Sequence, residues 1–323
     1  EVIDRLDLSE LTRHYAGRGS KAHHPAVLLG LLVYGYATGV FSSRKIERAT
    51  YDSIAFRYIA ANTHPDHDTI ATFRRRFLPQ LEALFVQVLL LAREMNLVKL
   101  GRIALDGTKI KANASKHKAL SYAHAKKIEQ QLKAEVKALT AQAEKADQAP
   151  VVDGMDLPAE IARREVRLKA LDAAKLKIEE RAKERFDREQ ADYQCKQEKR
   201  QAQRDAGKKP KGREPKPPQP GPKDKDQVNL TDEESRIMPV SGGGFEQCYN
   251  AQASVDTDTM LVMSTHVTQA TNDKQQIEPA LQKLDVLPDA LGTVTDLLAD
   301  TGYFSANNVE LCTQADIQPL LAV

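Results

Sequence analysis

The feature that most constrains this chain is a change of period that happens twice. Up to residue 97 the pattern is helical. Residues 102–112 (RIALDGTKIKA) are short, β-branched and bounded by small polar residues, which reads as a strand or a hairpin. From Ser121 to Asp147 the helical period returns, with Ile128, Leu132, Val136, Leu139 and Ala143 at steps of four, four, three and four. Strand patterns resume only after Gly242-Gly243-Gly244. A chain that starts a sheet, leaves it over residues 113–240 and returns must close that sheet around a long insertion. With the insertion excised, the order is strand, strand, strand, helix, strand, helix, strand. That is a mixed α/β order in which a three-stranded meander precedes alternating elements.

The flanking parts follow from local signals. Pro25 opens a helix through about residue 38. Ser42 or Ser43 caps a short one carrying Arg44, Lys45, Ile46 and Arg48, and Asp52 or Ser53 caps another. Asp68 is expected to cap 69–78, and Pro79 opens a longer helix to Met95. Residues 1–97 therefore read as an all-α N-terminal domain. Within the insertion, Pro150 and Pro158 bracket a turn, and a second helix aligns Ile161, Leu168, Leu171 and Ile178. Residues 113–195 thus read as an antiparallel helical hairpin. Residues 196–216 carry nine basic residues against Glu198, Asp205 and Glu214, and 207–222 hold six of the fifteen prolines. Such a composition buries little surface, so 196–240 is predicted to be a flexible basic linker. Beyond it, Phe245, Tyr249, Ala251, Ala253 and Val255 fit an alternating strand with a break at Gln247, and 260–267 a second one. Asn272 or Asp273 caps a helix to about 287, and 292–299 is a buried strand ending at Asp300. Ser305 caps a helix to about 315, and 317–323 begins another strand. The sheet-forming parts are then 98–112 and 241–323.

Composition serves mainly to exclude. The net charge of the 323 residues is 47 − 45 = +2, which says nothing about partners. Aromatics at 5% and the absence of Trp argue against a carbohydrate-binding surface. Cys195, Cys248 and Cys312 lie 53 and 64 residues apart, with no disulfide framework or zinc spacing, which points to a reducing cytosol. The longest apolar stretches, 27–41 and 81–92, fall short of the ~18 residues of a membrane span, so no membrane partner is expected. There is no P-loop, no Gly-rich dinucleotide turn and no aromatic interleaving for single-strand stacking. The chain starts on Glu1 and ends on the apolar run Pro319-Leu320-Leu321-Ala322-Val323, and so reads as a fragment cut inside its last core element.

Two carboxylates stand out by placement. Asp106 lies in the first strand among Ile103, Leu105 and Ile110; Asp300 follows a strand and precedes Thr301-Gly302-Tyr303. Carboxylates at strand ends facing a common edge suit Mg²⁺, which takes hard oxygen ligands. The alternative is that Asp106 starts an Asp-Gly turn and Asp300 caps one. His64, Asp66, His67 and Asp68 (HPDHD) have the residue types of a metal site, but a loop with a helix cap is the preferred reading. Of Arg74-Arg75-Arg76, at most two share a helix face, either against DNA phosphate or solvated. Lys109 and Lys111 alternate on one strand face, suited to a phosphate backbone or simply exposed.

With these residues in view, the chain resembles insertion-sequence transposases of the DDE type. Residues 68–77 (DTIATFRRRF) resemble the end of that group's N-terminal helical domain, and 104–115 (ALDGTKIKANAS) its first-aspartate motif. Residues 245–256 (FEQCYNAQASVD) resemble the strand after the insertion, and 298–304 (LADTGYF) the second-aspartate motif. The resemblance implies a ribonuclease H-like mixed sheet interrupted by a long helical insertion, with Asp106 and Asp300 as catalytic ligands of Mg²⁺ or Mn²⁺. It implies a third ligand, a Glu on a helix past the strand that begins at Ile317, beyond Val323. It further implies double-stranded DNA partners (terminal repeats and target), a homodimer on DNA, and a bacterial cytoplasm with the nucleoid as the working place. Arg44, Lys45, Arg48, Arg74, Arg75, Lys109 and Lys111 are then the DNA-contact candidates. Two other readings stay open: a non-catalytic DNA-binding product that inhibits transposition, and a helical interaction scaffold centred on 121–190.

Overall fold

The computed structural model describes residues 2–15, 22–146, 157–207, 209–210 and 212–323. The chain divides into two units. One comprises Glu1–Asp106, Gln252–His266 and Lys274–Val323; the other comprises Gly107–Ala251 and Val267–Asp273.

The first unit opens with helices α1 (Ser9–Thr12), α2 (Pro25–Ala37), α3 (Ser43–Asp52), α4 (Ile54–Ile59), α5 (His67–Arg76) and α6 (Leu78–Glu94). Pro25 stands at the start of α2, where its missing N–H costs nothing, and His24 Nδ1 accepts from Ala26 N. Helix α5 starts earlier than its sequence suggested. Asp66, not Asp68, is its cap, accepting from Thr69 N and from Thr69 Oγ1, both at 2.8 Å. Leu11, Leu28, Leu31, Ile46, Phe56, Ile70 and Phe73 form the core of this bundle. Each such side chain contributes about 1.5–3 kcal/mol by burial. Helix α6 buries Leu84 in that core and Leu89 in the core of the sheet that follows, so residue 97 does not separate two independent cores.

Among the described residues, eight strands follow in chain order: β1 (Leu100–Lys111), β2 (Ala119–Ser121), β3 (Gln227–Asn229), β4 (Arg236–Pro239), β5 (Phe245–Asp256), β6 (Val262–Thr268), β7 (Gly292–Ala299) and β8 (Gln318–Leu321). Six of them make one sheet of order β4-β5-β1-β7-β8, with β6 also paired to β5. Strands β1, β5 and β6 each run from one unit into the other. Leaving β4 aside, the order is β6-β5-β1-β7-β8. The antiparallel sense of β1 and β5 shows at both ends, in Ala112 N to Gln247 O and Thr257 N to Arg102 O. Strands β1, β7 and β8 are parallel neighbours. An antiparallel meander continued by parallel strands is the mixed order expected of a ribonuclease H-like sheet. Helices α9 (Ile277–Asp285) and α10 (Ala306–Gln314) join β6 to β7 and β7 to β8. They pack Ile277, Ala280, Leu284 and Cys312 against Ile103, Leu105 and Leu297. Helix α9 begins later than predicted, because Asp273 is engaged elsewhere instead of capping.

The second unit is built on α7 (Tyr122–Ala146) and α8 (Leu157–Asp205). Their seam buries Ala125, Leu132, Leu171, Ala174 and Ile178. Glu129 with Lys175 (2.5 Å) and Glu135 with Arg164 (2.8 Å) bridge the two helices at its margin. The turn between Pro150 and Pro158 falls mainly on 147–156, outside the described residues.

The linker predicted over 196–240 is corrected on two counts. Helix α8 runs on to Asp205, because residues 196–205 (KQEKRQAQRD) are mostly strong helix formers. The proline-rich stretch then lies back along the helix: Pro215 and Pro218 line one hollow with Tyr193. Arg200 donates to the Gly212 and Arg213 carbonyls, Arg204 pairs with Glu214, and Arg185 pairs with Asp226 at 2.8 Å. Strands β3 and β4 also lie inside the predicted linker.

Candidate active site

The parallel register places the two aspartates. Ala104 pairs with Leu298, so two residues further on Asp106 stands level with Asp300. Neighbouring strands run about 4.8 Å apart, and residues at matching positions project to the same face. Asp300 keeps an extended backbone (φ −75°, ψ 179°), which carries the line of β7 one residue past its end. Both side chains are exposed. They line one open cleft of about 500 Å³ with Ala104, Leu105, Leu298, Ala299, Leu320, Leu321 and Ala322. Ligand sites in sheets with parallel strands sit at such carboxyl ends.

The turn after β7 is built tightly. Asp300 Oδ1 accepts from Gly302 N at 2.9 Å, so the capping role foreseen for it is real and coexists with its place in the cleft. Tyr303 is buried and donates its hydroxyl to Gln252 Oε1. Asn308, also buried, donates from Nδ2 to the carbonyls of Tyr303 (2.6 Å) and Lys274 (2.8 Å).

This polar support was not legible in the alternation of β5. The sequence pattern drew attention to Phe245, Tyr249, Ala251, Ala253 and Val255. The strand is continuous through Gln247, and the face it buries is the polar one: Asn250, Gln252, Ser254 and Asp256. Asn250 donates to Asp273 Oδ1 (2.7 Å) and to Ala270 O, and Asp256 Oδ2 accepts from Thr259 N and Oγ1.

The remaining site candidates distribute as follows. Arg44 and Lys45 are exposed on α3; Arg48, also there, pairs with Asp52 at 3.1 Å. On α5, Arg75 is exposed, while Arg74 donates to the Tyr36 hydroxyl at 2.6 Å. None of these five lines the cleft. Lys109 and Lys111 belong to the second unit. Lys111 is exposed; Lys109 is largely covered and pairs with Asp273 at 3.4 Å. The HPDHD run is accounted for by partners within the bundle. His64 stacks on Tyr51 at 3.9 Å and shares a hydrogen bond with Thr50 Oγ1, Asp66 caps α5, and His67 Nδ1 meets Glu47 Oε2 at 2.7 Å.

A metal must be judged against the donors present. Two exposed carboxylates, level on adjacent strands, are the hard oxygen donors that Mg²⁺ or Mn²⁺ takes. Among the described residues, no group of three or more His, Cys, Asp or Glu side chains is placed to hold an ion. The donors fit a site with two protein ligands and the rest of the coordination left to water or phosphate oxygen. Burial pushes the thiols of Cys248 and Cys312 up, away from ligand or nucleophile chemistry.

A mixed sheet of this order, with aspartates at the carboxyl ends of two adjacent parallel strands, is a ribonuclease H-like arrangement. Residues 218–323 match the family model of a transposase DDE domain, and residues 1–76 match that of a transposase domain (DUF772). No curated protein and no solved structure matches the chain. Carrying both domains in this order, the chain belongs to the DDE-type insertion-sequence transposases. Asp300 lies inside the matched DDE stretch, and Asp106 lies outside both. Among the described residues no helix is long and apolar enough to cross a membrane.

Proposed function

We propose that this chain acts in DNA transposition through phosphodiester hydrolysis at the ends of an insertion sequence, followed by strand transfer, with Asp106 and Asp300 as the metal-binding carboxylates. The observation that carries the reading is their level placement on adjacent parallel strands at one open cleft. When bound, Mg²⁺ or Mn²⁺ would supply charge neutralisation at the phosphate and activation of the attacking oxygen. The chain's own part is to hold two anionic side chains at a fixed spacing and to seat the duplex. In the first reaction water attacks phosphorus and the 3′ oxygen leaves. In the second, the freed 3′-OH attacks a target phosphodiester and that strand's 3′ oxygen leaves. Arg44, Lys45, Arg75 and Lys111, all exposed, are proposed as contacts to DNA phosphate, and Arg48, Arg74 and Lys109 as weaker contributors because each already has a partner. The working form is proposed to be a homodimer on double-stranded terminal repeats and target DNA, at the nucleoid of a bacterial cytoplasm.

The second reading, DNA binding without cutting, is favoured for the 323 residues alone by the donor set. Two carboxylates supply −2 against up to +4 from two ions, and the family's third ligand is a Glu. The test is a nicking assay with Mg²⁺ on terminal-repeat DNA. We expect the 323 residues to retain DNA in a salt-dependent way and not to cut. In a chain carrying the additional Glu, cutting is expected, and Asp106→Asn or Asp300→Asn lowers it by ~10²-fold or more with DNA retention nearly intact. Robust cutting by the 323 residues that survives Asp300→Asn would sink the assignment.

A further inference from the structure

Asp300 is the exposed end of a turn whose other end is buried. Besides its backbone hydrogen bonds, side chains hold that turn. Asp300 Oδ1 accepts from Gly302 N at 2.9 Å. The Tyr303 ring lies in the apolar core, 1% exposed, with its hydroxyl given to Gln252, itself 1% exposed on β5. Asn308, from the first turn of α10, grips the Tyr303 carbonyl at 2.6 Å. The backbone from 300 to 303 is therefore fixed by a carboxylate at one end and by a buried phenol and amide at the other.

Gly302 is the sensitive point. A Cβ there would lie 2.9 Å from Asp300 Oδ1 and 3.7 Å from its Cγ; the three atoms nearest to it all belong to the Asp300 carboxyl group. A methyl group at 302 thus strains neither backbone nor core. It moves one of the two carboxylates that the proposed function places on the metal.

We infer that Gly302, Tyr303, Gln252 and Asn308 are positioning residues for Asp300: the absence of a side chain at 302 and the buried Tyr303 anchor set where the Asp300 carboxylate stands in the cleft. This rests on the reading of Asp106 and Asp300 as metal ligands. Groups that orient ligands typically change metal affinity by about 10–100-fold when removed, without being ligands themselves.

The experiment measures Mn²⁺ affinity by electron paramagnetic resonance, alongside thermal melting, for the full 323-residue chain and its Gly302→Ala, Tyr303→Phe and Asp300→Asn variants. Gly302→Ala is expected to weaken Mn²⁺ binding by about tenfold at an unchanged melting temperature. A merely structural role for Gly302 predicts no such split. Tyr303→Phe keeps the ring in the core and removes only the hydroxyl anchor; it should weaken Mn²⁺ binding well below its melting temperature. Asp300→Asn sets the scale. If it loses Mn²⁺ and Gly302→Ala binds as the parent does, the positioning inference is overturned and the metal reading stands. If Asp300→Asn itself binds as the parent does, the metal reading falls and takes the inference with it.

Discussion

The α7–α8 hairpin and the sheet both carry many polar side chains, and they use them in opposite ways. In the hairpin, the apolar seam from Ala125 to Ile178 is buried, and the charged residues line its margin as pairs such as Glu129–Lys175 and Arg164–Glu135. In the sheet, β5 turns Asn250, Gln252, Ser254 and Asp256 inward, each under 3% exposed. A margin pair is screened and replaceable. A buried amide or hydroxyl is costly to leave without a partner, and so dictates the geometry of whatever satisfies it. Polar residues in the hairpin are placed to tune stability, whereas those in the sheet, on the proposed reading, decide where a metal-binding carboxylate stands.

The sharpest way to break this contrast is to make the same change, carboxylate to amide, in both regions. Asp106→Asn or Asp300→Asn should lower Mn²⁺ affinity by well over ~10-fold, while Glu129→Gln leaves it at the parental value; equal losses in titrations of the three variants would erase the distinction.

Next in size are cavities. Ile178→Ala in the hairpin and Ile103→Ala in the sheet, both under 2% exposed, should each cost about 2–5 kcal/mol. Denaturant titration followed by circular dichroism, with Mn²⁺ binding measured in parallel, separates them. The hairpin variant is expected to keep Mn²⁺ binding in native buffer, and the sheet variant to weaken it.

Acid should act on the hairpin first. Hydrogen bonds from Lys133 and Lys175 hold the Glu129 carboxyl down at about 2, against an ordinary 4.5. A depressed folded-state value means that this contribution is complete above about pH 4.5 and is lost as the pH falls towards about 2. Since Glu129 sits at the seam's margin, the loss is on the order of 1 kcal/mol. Glu129→Gln should flatten that part of a melting-temperature-against-pH curve; an unchanged acid limb would refute it.

The smallest effect is expected at Arg48, an exposed partner of Asp52 on α3. Arg48→Ala should change stability by no more than ~0.5–1 kcal/mol and show itself instead, if the proposed DNA surface is right, as a slightly shallower salt dependence of DNA retention.

The proline-rich stretch offers a related lesson. Its composition signals disorder, yet it lies along α8: Pro215 and Pro218 line one hollow with Tyr193, and Arg200 and Arg204 reach its backbone and Glu214. Deleting 196–222 therefore removes the last turns of α8 with the segment that lies along them, and is expected to cost stability.

Local signals in the sequence were enough for many of the elements, though not for β3, β4 or the last turns of α8. Helical and strand periods, caps and Pro positions located α2, α6, α7, β1 and β7 to within a few residues, because those preferences are set by neighbours along the chain. The slip at α5, Asp66 for Asp68, was still local, since an Asp three residues before Thr69 was available to be seen. What the sequence could not contain was adjacency. Asp106 and Asp300 are level only because β1 and β7 pair in parallel in one register, and a shift by one residue would send the two to opposite faces. Lys109 meets Asp273 across 164 positions, and Tyr303 meets Gln252 across 51. Such contacts carry no periodic trace, so the inward polar face of β5 and the turn that holds Asp300 were decided by tertiary structure alone. The physical reason is that a buried polar atom takes whichever partner the packed chain brings within hydrogen-bond reach, and distance along the sequence does not enter.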